Sequence, residues 1–118
     1  MKIDLPYGKQ NINQEDIDLI VKTLKSDFLT QGPTVPLFEK SISNLVHSNF
    51  VIAVNSATSA LHLACLALDV KEGDEVWTVP NTFVASANCA LYCDAKVDFV
   101  DIDPLSWCMS PEALEKKN

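Results

Sequence analysis

The chain has 118 residues and a net charge of −7, and all nine of its basic residues are lysines. That balance excludes the clustered cationic surface a nucleic acid or an anionic membrane requires, and the absence of arginine excludes bidentate arginine recognition of a diphosphate or carboxylate within the chain. The length allows one small domain, which buries about two-thirds of its unfolded surface, and the apolar runs are too short to span a bilayer.

The first residues, Met1-Lys2-Ile3-Asp4-Leu5-Pro6, meet charge and proline before an apolar core develops, unlike a signal peptide. A cytoplasmic location is the expectation. Asn13 reads as a helix cap, with Glu15 and Asp16 suiting the positive end of the helix dipole. Ile17, Ile20, Val21 and Leu24 then recur at helical spacing, predicting an amphipathic helix that ends near Ser26. Asp27-Phe28-Leu29-Thr30-Gln31-Gly32-Pro33 reads as a loop from its Gly-Pro ending, and it carries two apolar residues, Phe28 and Leu29, unusual in a plain connector. A second helix is predicted from near Pro36, with Val35, Phe38, Ile42, Leu45 and Val46 as its buried stripe.

The pattern then changes. Residues 50–54 form a continuous apolar run, as expected of a strand buried on both faces. Residues 60–68 follow as a helix apolar nearly all round, which predicts an enclosed helix. Lys71-Glu72-Gly73-Asp74 is a turn, and 75–79 is a second strand stopped by Pro80. Asn81 is positioned to cap a helix running through Phe83 to about Cys93, and 96–100 is a third strand. Ser110 and Pro111 open a last helix as cap and first residue. Strand, helix, strand, helix, strand predicts an α/β fold with a mostly parallel sheet and flanking helices. Ligands of such sheets sit at the carboxyl ends of strands, where 55–58 and 80–83 fall.

Two of those ends carry candidate chemistry. Ser56-Ala57-Thr58-Ser59 combines small side chains with hydroxyls at a helix start, so its free amides and dipole suit a phosphate; the plainer reading is an ordinary cap. Phe83 is placed to cover a flat ring bound next to that turn, or to fill a core. Tyr7 can close a pocket or pack an N-terminal arm, and His62 reads as a packed helix residue. Cys65, Cys89, Cys93 and Cys108 form no CxxC pair, so free buried thiols are expected and no metal site.

These stretches resemble a known family. Asn55-Ser56-Ala57-Thr58-Ser59-Ala60-Leu61-His62-Leu63-Ala64 is similar to the phosphate-binding turn of the sugar-nucleotide aminotransferases, the DegT/StrS family. The 27–33 loop is similar too, as are Gly73-Asp74-Glu75-Val76 with Pro80-Asn81-Thr82-Phe83-Val84-Ala85, and Phe99-Val100-Asp101-Ile102-Asp103. The resemblance runs along the whole chain. It implies the N-terminal part of the large domain of the aminotransferase type I (PLP-dependent transferase) fold. Residues 1–33 would then be an arm, helix and substrate loop, and 34–118 an incomplete large domain with three strands.

The resemblance further implies pyridoxal 5'-phosphate as cofactor, with Ser56, Ala57 and Thr58 on its phosphate and Phe83 stacked on its ring. Tyr7, Asp27, Phe28, Leu29 and Thr30 would bind the substrate. Pro6-Tyr7-Gly8-Lys9-Gln10 and the 27–33 loop are most similar to members that move an amino group from glutamate to C4 of a UDP-linked 4-keto-6-deoxy sugar, as homodimers. Ala57 stands where many relatives have glycine, a change that still permits close backbone approach.

One departure from the family bears on activity. The aspartate that pairs with the pyridine nitrogen and the lysine that forms a Schiff base lie, in the family, beyond the third strand. No lysine here matches that motif, so the expectation is an N-terminal portion with no catalytic residue of its own, inactive alone. Two other readings are a truncated or split-gene chain that serves only as a binding or assembly module, and an unrelated phosphate-binding α/β domain.

Overall fold

A computed structural model describes residues 8–117. The chain divides into two compact units, Met1–Ala53 and Val54–Asn118.

The first unit is helical. α1, Gln14–Leu24, starts at Asn13 as its sequence predicts: the Asn13 side chain accepts from the Asp16 amide at 3.0 Å, and the Asp16 carboxylate accepts from the Asn13 amide at 2.9 Å. This reciprocal pair satisfies two amides that would otherwise lack partners. α2 is Thr34–Val46. It starts two residues before Pro36, because Pro33 supplies the entry and Leu37 donates to the Pro33 carbonyl at 3.0 Å. α2 ends on His47 in the left-handed conformation (φ 54°).

The predicted buried stripe of α2 is a correction: Phe38 is 55% exposed and Leu45 74%. Two short helices supply too little surface to enclose each other's apolar faces. An open apolar groove is lined by residues of both α1 and α2. The first predicted strand is a second correction. Among the described residues, 50–54 pair with no strand, and Phe50 and Ile52 are largely exposed. Continuity of apolar side chains marks a segment suited to burial, but a strand exists only where a neighbour completes its backbone hydrogen bonds.

The second unit holds α3 (Ala57–Ala67), β1 (Glu75–Thr78), α4 (Ala85–Leu91), β2 (Lys96–Phe99) and α5 (Pro111–Glu115). β1 and β2 pair in parallel with Glu75 opposite Lys96 and Thr78 opposite Phe99. Parallel neighbours require a crossover, and α4 supplies it, packing on both strands and on α3. The strands number two among the described residues, against three in the sequence reading.

The core lies along α4 and the return to the sheet. Ala85, Cys89, Ala90, Cys93, Ala95 and Val100 are the buried hydrophobic residues, with Ala90 fully enclosed. Small side chains let a helix lie close to a sheet. α3 is not enclosed as its composition predicts: Leu63 and Leu66 are about half exposed, because α4 covers only one of its faces.

Local hydrogen bonds shape the connections. The Lys71 amide donates to the Asp74 carboxylate at 2.9 Å, and Gly73 sits at φ 97°, where a Cβ would be strained. Asn81 caps nothing, a further correction. The amides of Ser86 and Ala87 donate to the carbonyls of Phe83 and Val84, so a tight backbone turn opens α4 and leaves no donor for that side chain. Ser110 does cap α5, accepting from the Ala113 amide at 3.2 Å, with Pro111 as first residue. Beyond α5, the Lys117 ammonium pairs with Asp98 at 2.5 Å and lies 5.5 Å from the Trp77 ring centroid. That ion pair is the first cause holding the Asp98 carboxyl below its usual range, ahead of the bond from the Phe99 amide.

Candidate functional site

The turn entering α3 has the geometry of an anion seat. Ser56 is extended (φ −161°, ψ 157°), and its hydroxyl accepts from the Ser59 amide at 3.2 Å. The Ala60 amide donates to the Ser56 carbonyl at 3.1 Å. Those bonds use the third and fourth amides of the helix. Among the described residues the amides of Ala57 and Thr58 have no protein acceptor. Two uncommitted N–H groups at the positive end of an eleven-residue helix, flanked by small side chains, favour a bound anion. The Ser56 hydroxyl also lies 3.1 Å from that of Ser59, leaving both able to turn toward an added oxygen.

Phe83 lies in the connection from β1 to α4 and is 73% exposed. The Thr82 and Ser86 hydroxyls, 3.0 Å apart, close the turn around it. Phe83 thus belongs to the same unit as the α3 turn, on the connection entering a helix that packs against α3. His62 is half-buried, with its ring 5.2 Å from that of Tyr92, which fits the packing role read from the sequence.

The residues expected on the substrate belong to the first unit. Asp27, Phe28, Leu29 and Thr30 form the connection between α1 and α2, and Phe28 and Leu29 are 59% and 67% exposed. Asp27 and Phe28 border an open groove of about 810 Å³, whose walls are mainly apolar residues of α1 and α2 such as Leu19, Leu37 and Phe38. Tyr7 lies outside the described residues. Two residues not singled out in the sequence shape this loop. The Ser26 hydroxyl bonds to the carbonyls of Thr23 (2.7 Å) and Phe28 (3.1 Å), and Gly32 is packed against Phe28. The only sequence signal for either was the serine closing a helix and the glycine before Pro33.

The cysteines are free thiols. Cys89 and Cys93 are buried and Cys65 partly so, whereas Cys108 is exposed, which corrects the expectation of burial for that residue. Desolvation, then hydrogen bonding to Cys89, pushes the Cys65 thiol up to about 11, so it stays protonated and unreactive near neutral pH. Among the described residues no group of three or more ligating side chains is placed to hold a metal ion, and no helix is long and apolar enough to cross a membrane.

The sequence has clear relatives. Residues 10–117 match the DegT/DnrJ/EryC1/StrS aminotransferase family. The chain is 48% identical to the UDP-4-amino-4,6-dideoxy-N-acetyl-beta-L-altrosamine transaminase of Campylobacter jejuni over 83% of its length and 26% of that protein. It is 40% identical to the spore coat polysaccharide biosynthesis protein SpsC of Bacillus subtilis over 94% of its length and 28% of that protein. In structure it is similar to the PLP form of the putative sugar aminotransferase Spr1654 from Streptococcus pneumoniae, with a TM-score of 0.89 and 31% identity over 97% of this chain and 29% of that one. The chain therefore spans under a third of the length of these relatives. Its fold is that of the corresponding part of the pyridoxal-phosphate sugar aminotransferases. The chain belongs to the DegT/DnrJ/EryC1/StrS aminotransferase family.

Proposed function

We propose that this chain supplies the phosphate-and-ring side of a pyridoxal-phosphate site in an aminotransferase of nucleotide-sugar biosynthesis. The observation that carries the reading is the pair of uncommitted amides, Ala57 and Thr58, at the head of α3. The residues present fit the cofactor: small side chains admit a phosphate to the backbone, the hydroxyls of Ser56, Thr58 and Ser59 can donate to it, and the exposed Phe83 ring offers a flat cover. When bound, the cofactor supplies the electron sink that lets an amino group leave one carbon and join another. The chain's own residues bind and orient: the α3 turn fixes the phosphate end, and Phe83 restricts tilt of the ring and keeps water from its face.

On the acceptor side, likeness to the Campylobacter jejuni transaminase supports a UDP-linked 6-deoxy amino sugar aminated at C4; its 4-keto form, glutamate as donor and a place in pseudaminic acid synthesis are what the family resemblance of the sequence implies. Tyr7, Asp27, Phe28, Leu29 and Thr30 would contact that sugar nucleotide, with residues 1–33 as the substrate-side segment and 34–118 as part of the cofactor domain. A cytoplasmic homodimer is the expected form. Testing is direct: the full-length protein with pyridoxal phosphate, glutamate and the UDP-4-keto sugar should yield 2-oxoglutarate and the 4-amino sugar nucleotide in equal amounts. Release of 2-oxoglutarate that does not depend on the sugar would reject the acceptor assignment.

The placement of the lysines favours a second reading for the 118 residues alone, that of a non-catalytic binding or assembly module. Lys71 pairs with Asp69 at 2.6 Å, Lys117 with Asp98, and Lys96 opens β2 at the end of the sheet opposite the strand termini that lead toward Phe83. Each of these three lysines of the second unit is thus engaged or placed away from that connection. Borohydride treatment of this chain mixed with pyridoxal phosphate should trap no stoichiometric adduct on one lysine; such an adduct, with glutamate turnover, would overturn this second reading.

A further inference from the structure

We infer that Ser26 and Gly32 are positioning residues that hold the 27–30 loop in its substrate-binding shape, an inference that rests on the substrate role proposed for that loop. The Ser26 hydroxyl lies 2.7 Å from the Thr23 carbonyl oxygen and 3.1 Å from that of Phe28. Its single proton is shared between the last turn of α1 and the loop, so one side chain ties the loop to the helix it leaves. At the other end, Gly32 lies against Phe28. A Cβ at position 32 would stand 2.7 Å from the Phe28 Cβ and 3.1 Å from its carbonyl oxygen. Neither of those atoms is the free end of a flexible side chain, so the added carbon would move the backbone of Phe28 itself. Between them, Gln31 sits in the left-handed region at φ 56°, a conformation that reverses the chain toward Gly32 and Pro33.

The consequence is specific. Phe28 and Leu29 are well exposed, so burial does not fix their direction. Their presentation depends on the Ser26 bond and on the close approach at Gly32. Neither residue needs to touch the substrate; each acts through Phe28. Loosening the loop should weaken contacts made equally in ground and transition states, raising KM for the sugar nucleotide with little change in kcat.

The experiment uses the full-length enzyme loaded with pyridoxal phosphate, comparing Ser26→Ala, Ser26→Thr and Gly32→Ala with the unaltered protein. Two readouts are taken: the rate of chymotryptic cleavage after Phe28 or Leu29, and KM and kcat for the UDP-4-keto sugar beside KM for glutamate. Ser26→Ala should speed cleavage and raise the sugar-nucleotide KM by roughly three- to tenfold, the equivalent of one neutral hydrogen bond. Ser26→Thr, which keeps the hydroxyl, should restore both, and the glutamate KM should stay constant throughout. Gly32→Ala should exceed Ser26→Ala in both readouts. Unchanged cleavage in Ser26→Ala and Gly32→Ala would overturn the positioning role. Faster cleavage with an unaltered sugar-nucleotide KM, or equal increases in both KM values, would overturn its link to the substrate. An unaltered enzyme that shows no amino transfer to the sugar fails the functional reading itself, while the cleavage rates still decide the geometry.

Discussion

No residue from 8 to 53 is buried, whereas the unit that follows encloses small side chains along α4, with Ala90 wholly inaccessible. The proposed cofactor residues therefore stand on packed elements: α3 is braced by α4, and α4 by two paired strands. The proposed substrate residues stand on a loop braced by a hydroxyl and a close backbone contact. A phosphate seat requires fixed amides, which a packed helix provides. A loop meeting a large and variable sugar nucleotide can rest on weaker local bonds. Local stability follows the density of buried contacts, so the two regions should respond differently to substitution.

The sharpest way to break that comparison is Ala90→Leu. Three added carbons at a fully enclosed site on α4 should cost about 1–3 kcal/mol, read as a lower denaturant midpoint of the full-length protein. A shift as small as that of an exposed alanine-to-leucine change, such as Ala67→Leu, would mean the α4 core is looser than described. In the first unit the corresponding weak point is a cap. Asn13→Ala removes the reciprocal bonds with Asp16 and should cost about 1 kcal/mol, with amide exchange accelerating in α1. Exchange that is equally faster in α4 would show that the two regions unfold as one.

The smallest expected effect is on pH dependence. Lys117 holds the Asp98 carboxyl below its ordinary value of 3.8. A carboxyl lowered in the folded state favours folding above its unfolded value, and this contribution disappears as pH falls through the folded value. Asp98 is exposed to solvent screening, so the effect should be slight. Lys117→Met should move the Asp98 titration, followed by NMR of its side-chain carboxyl, back up toward 3.8. An unmoved titration would assign the shift to the Phe99 amide instead.

Particular residues show how much could be read in advance. Asn13 and Ser110 cap their helices as their sequence context predicts, because a cap depends on a few neighbours. Ser56 behaves likewise, its hydroxyl accepting from the Ser59 amide as a cap does. Asn81 failed because its helix opens with a backbone turn that already uses the local amides, something one residue type cannot reveal. The 50–54 run failed for a longer-range reason: apolar composition does not specify a pairing partner. The bond from Ser26 to Phe28 was invisible for the same kind of cause, since one serine among many marks a contact only once the loop has its shape.

The account stands or falls on the head of α3, and the most direct test is the pyridoxal-phosphate affinity of Thr58→Val in the full-length protein. The substitution keeps shape and removes one hydroxyl. Loss of a hydrogen bond to a charged phosphate, about 1.5–3 kcal/mol, predicts an affinity weakened by roughly ten- to a hundredfold with the fold intact by circular dichroism. Unchanged affinity would contradict the phosphate role of this turn.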